Sequence, residues 1–103
     1  MKYIVVKTFC DNREIADKII KNLLGKHLVA GAQLEKIEST YYWKNELVKS
    51  DEYKLEFRTK SSLFKEIEKE IKKVHNYEVP EISSFKIEKA NQDFLKWIDE
   101  NTK

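Results

Sequence analysis

Two long extended stretches joined by two residues constrain this chain more than any other feature. Leu28-Val29-Ala30-Gly31-Ala32 is small and apolar, and Ile37 to Trp43 is aromatic and β-branched, so residues 28–43 read as extended. Lys44-Asn45 follows, and Asn tolerates the positive φ that a type I′ hairpin turn requires. Residues 46–59 form the second arm. Its later half alternates, with Tyr53, Leu55, Phe57 and Thr59 on one face and Glu52, Lys54, Glu56 and Arg58 on the other. At about 3.3 Å per residue this arm reaches roughly 46 Å. A typical strand has only about 5–6 residues, and a domain of this length has a radius of gyration of about 13 Å. The overhang exposes backbone edges together with Tyr41, Tyr42 and Trp43. An exposed flat edge of this kind associates unless it is covered. The expectation is that the hairpin tip packs on another copy of the chain, in a closed ring of identical subunits. The alternative is a bend or bulge near Gly31 or Lys49-Ser50-Asp51 that folds each arm back on its own core.

The remaining elements flank this hairpin. Residues 3–10 are β-branched and aromatic and predict a buried strand. Asp11 with Glu14 has the spacing of a capping box, and Ile15, Ala16, Ile19, Ile20, Leu23 and Leu24 recur at helical period. Gly25 falls where a left-handed residue closes a helix. Residues 61–74 return to helical period. Leu63, Ile67, Ile71 and Val74 face inward, and Glu66, Glu70, Lys65 and Lys73 form a solvated outer face. Residues 75–81 break that helix, and Val79, ahead of Pro80, is pushed towards extended geometry. Ile82, Phe85 and Ile87 mark a short strand, and Asn91 caps a last helix carrying Phe94, Leu95, Trp97 and Ile98. The order β-α-β-β-α-β plus a C-terminal helix predicts one α+β, ferredoxin-like domain over residues 1–103, with helices on one face of an antiparallel sheet.

Composition narrows the function classes. Charged residues make up 37% of the 103, yet the 20 Lys and Arg are interleaved with 18 Asp and Glu for a net charge of +2. No concentrated basic face points to nucleic acid. No apolar run is long enough to span a membrane, and the apolar part of residues 1–7 is too short for a signal peptide, so a cytoplasmic location is expected. The lone Cys10 can form no disulfide within the chain and is expected to pack as a small hydrophobe, with His27 serving the C-terminus of the first helix. His75, Glu78 and Glu81 lie close enough in sequence to converge on a cation if the segment turns. No nucleophile elbow, glycine-rich phosphate loop or metal-hydrolase spacing is present, so binding is expected rather than catalysis.

Several segments together carry a resemblance. Ser39-Thr40-Tyr41-Tyr42-Trp43-Lys44-Asn45, Glu52, Arg58-Thr59, His75-Asn76-Tyr77-Glu78-Val79-Pro80-Glu81 and Phe94-Leu95-Lys96-Trp97-Ile98 follow in one order. The chain resembles the CutA family of divalent-cation tolerance proteins, whose pattern reads S-x-Y-x-W-x-G, Glu, K-T, H-P-Y-x-x-P-E and Y-L-x-W. The resemblance implies a ferredoxin-like homotrimer acting in divalent metal tolerance, with copper or another divalent cation as weakly bound ligand. It also implies an intersubunit cleft lined by Tyr41, Trp43, Glu52, Arg58, His75, Tyr77 and Glu81, in which Arg58 pairs with Glu52 or Glu81. Some family members bind copper through a first-strand cysteine and two histidines ending the second helix. Those positions are Lys7, Val74 and His75 here, so only His75 remains of that set. The family's Ala-Cys after the first helix is Ala30-Gly31, and Asn45, Arg58 and Asn76 replace its Gly, Lys and Pro. A different class, a PII-like trimer sensing small molecules between subunits, shares the scheme. Its long flexible loop has no counterpart at the tight turn Lys44-Asn45.

Overall fold

The structure, a computed structural model, describes residues 2–103. Strand β1 (Tyr3–Cys10) leads to helix α1 (Arg13–Gly25), then to strands β2 (Gly31–Trp43) and β3 (Glu46–Lys60). A 3₁₀ turn at Ser61–Leu63 opens helix α2 (Phe64–Val74), which is followed by strand β4 (Ile82–Lys86) and helix α3 (Gln92–Asn101). The strands form one antiparallel sheet in the order β2-β3-β1-β4, the split arrangement expected from the element order.

Period-2 alternation in β1 turns Ile4, Val6, Thr8 and Cys10 to one face, and β3 adds Leu55, Phe57 and Thr59. Ala16, Ile19 and Leu23 of α1 and Ile67 and Ile71 of α2 cover that face and complete the core. The connection after α1 is tied down by the Thr59 hydroxyl, which donates to the Leu28 carbonyl at 2.6 Å. Leu28 and Val29 are therefore buried core residues ahead of a strand that starts only at Gly31.

Both ends of α1 differ from expectation. Asn12, not Asp11, is the N-cap, and its Oδ1 accepts from the Ile15 N–H at 2.8 Å. At the other end Gly25 is still helical, and the left-handed residue is His27 at φ 57°. The His27 N–H bonds to the Leu24 carbonyl and the Leu28 N–H to the Leu23 carbonyl, so the Schellman pattern falls two residues later. The outer face of α2 is not uniformly solvated either. Glu70 is buried, with its carboxylate accepting from Asn22, Lys26 and Lys73 at 2.8, 3.0 and 3.0 Å.

Helix α3 packs apart from α1 and α2. Gly31 pairs with Arg58, on the face opposite the core, and a Cβ placed there would lie 2.7 Å from the Trp97 ring. Tyr3 reaches the same helix by donating to Asp99 at 2.8 Å. The C-terminal helix thus covers one end of the second sheet face instead of joining the first layer. Asn91 stands at its N-cap position without a side-chain cap bond.

The hairpin ladder is unbroken. β2 and β3 pair without interruption from Gly31↔Arg58 to Trp43↔Glu46, so there is no bulge at Gly31 or at residues 49–51. Lys44 and Asn45 sit at φ 49° and 67°, the type I′ geometry. β1 ends at Cys10, opposite Tyr53, so the arms run on past the sheet's centre without further strands beside them. The protomer measures 44 × 26 × 22 Å. Tyr42 and Leu47, directly opposed near the tip, are 78% and 65% exposed. The outer edge of β2 pairs with no strand among the described residues.

Candidate functional site

A groove of about 750 Å³ opens where the hairpin leaves the body. β1 contributes Phe9 from its last turn of the pleat, β2 contributes residues 39–43, and β3 contributes Glu52. The segment between α2 and β4 supplies residues 76–79 and Glu81 as the opposite wall. No lysine, arginine or histidine lines it among the described residues.

The segment after α2 is held against β1 by its own first residues. Nε2 of His75 lies 2.7 Å from the Phe9 carbonyl and Nδ1 lies 3.2 Å from the Tyr77 N–H. A carbonyl only accepts and an N–H only donates, so the proton is on Nε2 and Nδ1 is the acceptor. Burial pushes the imidazole below its ordinary value, which favours this neutral form. Asn76 adds a bond from its side-chain amide to Asp11 at 3.1 Å. Together these place the Tyr77 ring 4.7 Å from His75 and its hydroxyl 2.5 Å from Glu52, to which it donates. Burial, with Glu52 beside it, pushes the Tyr77 phenol far above its usual range, so it stays protonated. Glu52 is 7% exposed and forms no ion pair among the described residues.

The expected cleft residues divide into two groups. Tyr41, Trp43, Glu52, Tyr77 and Glu81 meet at one groove, and Glu78 joins them. Tyr41 and Trp43 remain partly exposed, with the Tyr41 hydroxyl 3.3 Å from Ser50 Oγ. Arg58 is elsewhere. It lies six residues farther along β3, roughly 20 Å at about 3.3 Å per residue. It pairs with Glu56 at 3.2 Å, so the expected pair with Glu52 or Glu81 does not form within a protomer. Phe9, Asn76 and Val79 also line the groove, although the sequence reading assigns none of them to the cleft. Phe9 had a signal, since it is the last open-face position of β1.

The metal donors do not converge within one protomer. Both His75 nitrogens are engaged, and Glu81 accepts from Ser83 at 2.7 Å. Glu78 is exposed at the groove rim. Cys10 is buried, and its thiol is pushed up to about 11 by burial and by Asp11, so it offers no thiolate at neutral pH. Lys7, at the position of the family's copper cysteine, holds its ammonium 4.6 Å from the Phe85 ring. No group of three His, Cys, Asp or Glu side chains is gathered for a metal ion among the described residues. These donors do not fit a copper site built from a single chain.

Relatives share this architecture along the whole chain. Residues 4–101 match the family described as CutA1 divalent ion tolerance protein. The divalent-cation tolerance protein CutA of Pyrococcus horikoshii is 34% identical over 100 residues, covering 97% of this chain and 98% of the relative. Its counterpart in Thermotoga maritima is 36% identical over 98 residues, covering 95% and 96%. The structure of the periplasmic divalent cation tolerance protein CutA from Archaeoglobus fulgidus superposes with a TM-score of 0.95 at 31% identity, covering 98% of this chain and 99% of that one. That periplasmic relative overturns the cytoplasmic placement expected above. The short apolar run used for it, residues 3–7, is the central core strand, so its length carries no information about compartment. No helix among the described residues is long and apolar enough to cross a membrane. The chain belongs to the CutA1 divalent ion tolerance protein family.

Proposed function

We propose that this protein acts in tolerance of divalent metal ions as a homotrimer, by binding and not by catalysis. The match to relatives named for divalent-cation tolerance, over nearly the full chain, is the observation that carries the metal part. The free edge of β2 and the exposed Tyr42 and Leu47 support assembly, because an uncovered edge with apolar side chains is stable in solution only when something pairs with it. In a ring of three, each projecting hairpin lies against a neighbour, and the groove beneath it becomes a cleft between subunits. Arg58 then enters the cleft, if at all, from a second copy.

A divalent cation, copper included, is held weakly at the carboxylate rim, by Glu78 and Glu81 together with a donor from outside the protomer. His75 joins them only by giving up one of its two hydrogen bonds. Sedimentation equilibrium should return the mass of three chains. Calorimetric titration with Cu(II), Zn(II) and Mn(II) should give a weak saturable isotherm that Glu78→Gln combined with Glu81→Gln abolishes and Cys10→Ser leaves intact. A lone protomer of 12.3 kDa, or no heat with any of the three ions, would overturn the respective part of the proposal.

A further inference from the structure

We propose that the groove beneath the hairpin binds a small organic cation, an alkylammonium or guanidinium group held by Glu52 and the aromatic walls. The proposal takes the groove as the protein's binding site, as above, and assigns it a ligand class other than a metal ion.

Charge is the first ground. Glu52 is 93% withdrawn from solvent and receives one hydrogen bond, from a phenol that stays neutral. A buried carboxylate without a counter-ion is costly, and proteins pair such groups almost without exception. Its near neighbours Tyr77, His75 and Cys10 are all neutral species, and the rim adds Glu78 and Glu81. The groove therefore has negative groups at its floor and rim and no cation among its described lining residues. The walls are the second ground. Phe9, Tyr41, Trp43 and Tyr77 present rings, and ring faces attract cations of low hydration. One face of Trp43 already carries the Lys44 ammonium, 5.6 Å from the ring centroid, which shows the ring acting in this way. Size is the third ground, since about 750 Å³ lies within the range of small-molecule sites, about 300–1,000 Å³.

Two other occupants fit less well. A bare metal ion needs several converging donors, and none are gathered here among the described residues. The protomer's own cations on the Glu52 face of β3, Lys54 and Arg58, are already paired with Glu35 and Glu56 at 3.2 Å each.

Choline, agmatine and tetramethylammonium, each titrated into the Trp97→Phe protein, test this through Trp43 fluorescence. At least one should give a saturable change, weakened about tenfold to a hundredfold by Glu52→Gln, which keeps the acceptor for Tyr77. The uncharged carbon isostere of choline should give none. Circular dichroism of Glu52→Gln checks that the fold is kept, and Tyr41→Leu, placed on the exposed hairpin, provides an independent weakening. Absence of any saturable change overturns the proposal, as does equal binding of the uncharged isostere. Binding seen only in Arg58→Ala overturns it too, because a neighbour's Arg58 is then the natural occupant. Metal binding without organic-cation binding leaves the metal-tolerance reading standing and removes this one, whereas the reverse result removes the other.

Discussion

Glu70 and Glu52 are withdrawn from water to the same degree, at 6% and 7% exposure, and the fold treats them in opposite ways. Glu70 sits between α1 and α2, where an amide and two ammonium groups converge on its carboxylate. These donors, Asn22 first, hold its pKa down at about 2. Glu52 sits where the hairpin leaves the body and receives a single neutral hydroxyl. The same side chain is thus saturated in the helix-covered half and left undercompensated in the projecting half. The difference teaches that the helix-covered half supplies ammonium groups to its buried carboxylate, while the hairpin half supplies none to Glu52 among the described residues.

Substitutions in both halves break or sharpen that contrast. The largest effect belongs to the closed half. Phe57→Ala removes a ring buried between sheet and helices and should cost about 3–5 kcal/mol in urea unfolding. Tyr42→Ala, 78% exposed, should leave the midpoint nearly unchanged at high protein concentration and make it depend more steeply on concentration. Equal losses from the two would erase the distinction between the halves.

The glutamates themselves come next. The unfolded chain takes up a proton on Glu70 near the ordinary 4.5, before the folded chain does at about 2, so the stability Glu70 contributes is lost as pH falls through that window. Glu70→Gln should lower the melting temperature at pH 7 and flatten the acid slope between 4.5 and 2. Glu52→Gln should leave the melting temperature unchanged or raise it, because it removes a desolvated charge that receives only the neutral Tyr77 hydroxyl among the described residues. A drop in melting temperature for Glu52→Gln as large as that for Glu70→Gln would mean that Glu52 is structural after all.

Gly31→Ala probes the end of the second sheet face that α3 covers. Its Cβ would stand 2.7 Å from the Trp97 ring, so the ring must move, at a cost of about 1–3 kcal/mol that Trp97→Phe should partly restore. The smallest effect is expected at the start of α1. Asn12→Ala loses the 2.8 Å bond to the Ile15 N–H and should cost about 0.5–2 kcal/mol, whereas Asp11→Ala should cost less. The reverse order would return the cap to Asp11.

Local chemistry made most of the fold legible. The strand at residues 3–10, both arms of the hairpin and its turn follow from alternation, β-branching and Asn at positive φ. Misreadings arose where two neighbours had equal claims or where a partner lay far off in sequence. Asp11 and Asn12 are both good caps, and helical phase one residue later decides for Asn12. Gly25 has the residue preference for the left-handed site, but the backbone bonds that close α1 select His27. Glu70 looks solvated within α2 because the donors that bury it belong to α1, 44 and 48 residues away. The groove shows the same pattern. Tyr77 and Glu52 are 25 residues apart, and only the family resemblance placed them together before the backbone did. Arg58 was assigned to their group by that resemblance, and its own strand takes it to Glu56.

The rung-for-rung pairing of β2 with β3 makes the reach of the hairpin adjustable. Facing repeats every second residue, so trimming or adding a dipeptide on each arm preserves which side chains look inward at the base and leaves the turn intact. The arm behaves like a telescoping mast on a fixed footing, extending in increments of about 7 Å, two residues at about 3.3 Å each. Descendants of this chain are free to change how far the hairpin projects without repacking the helices that anchor it.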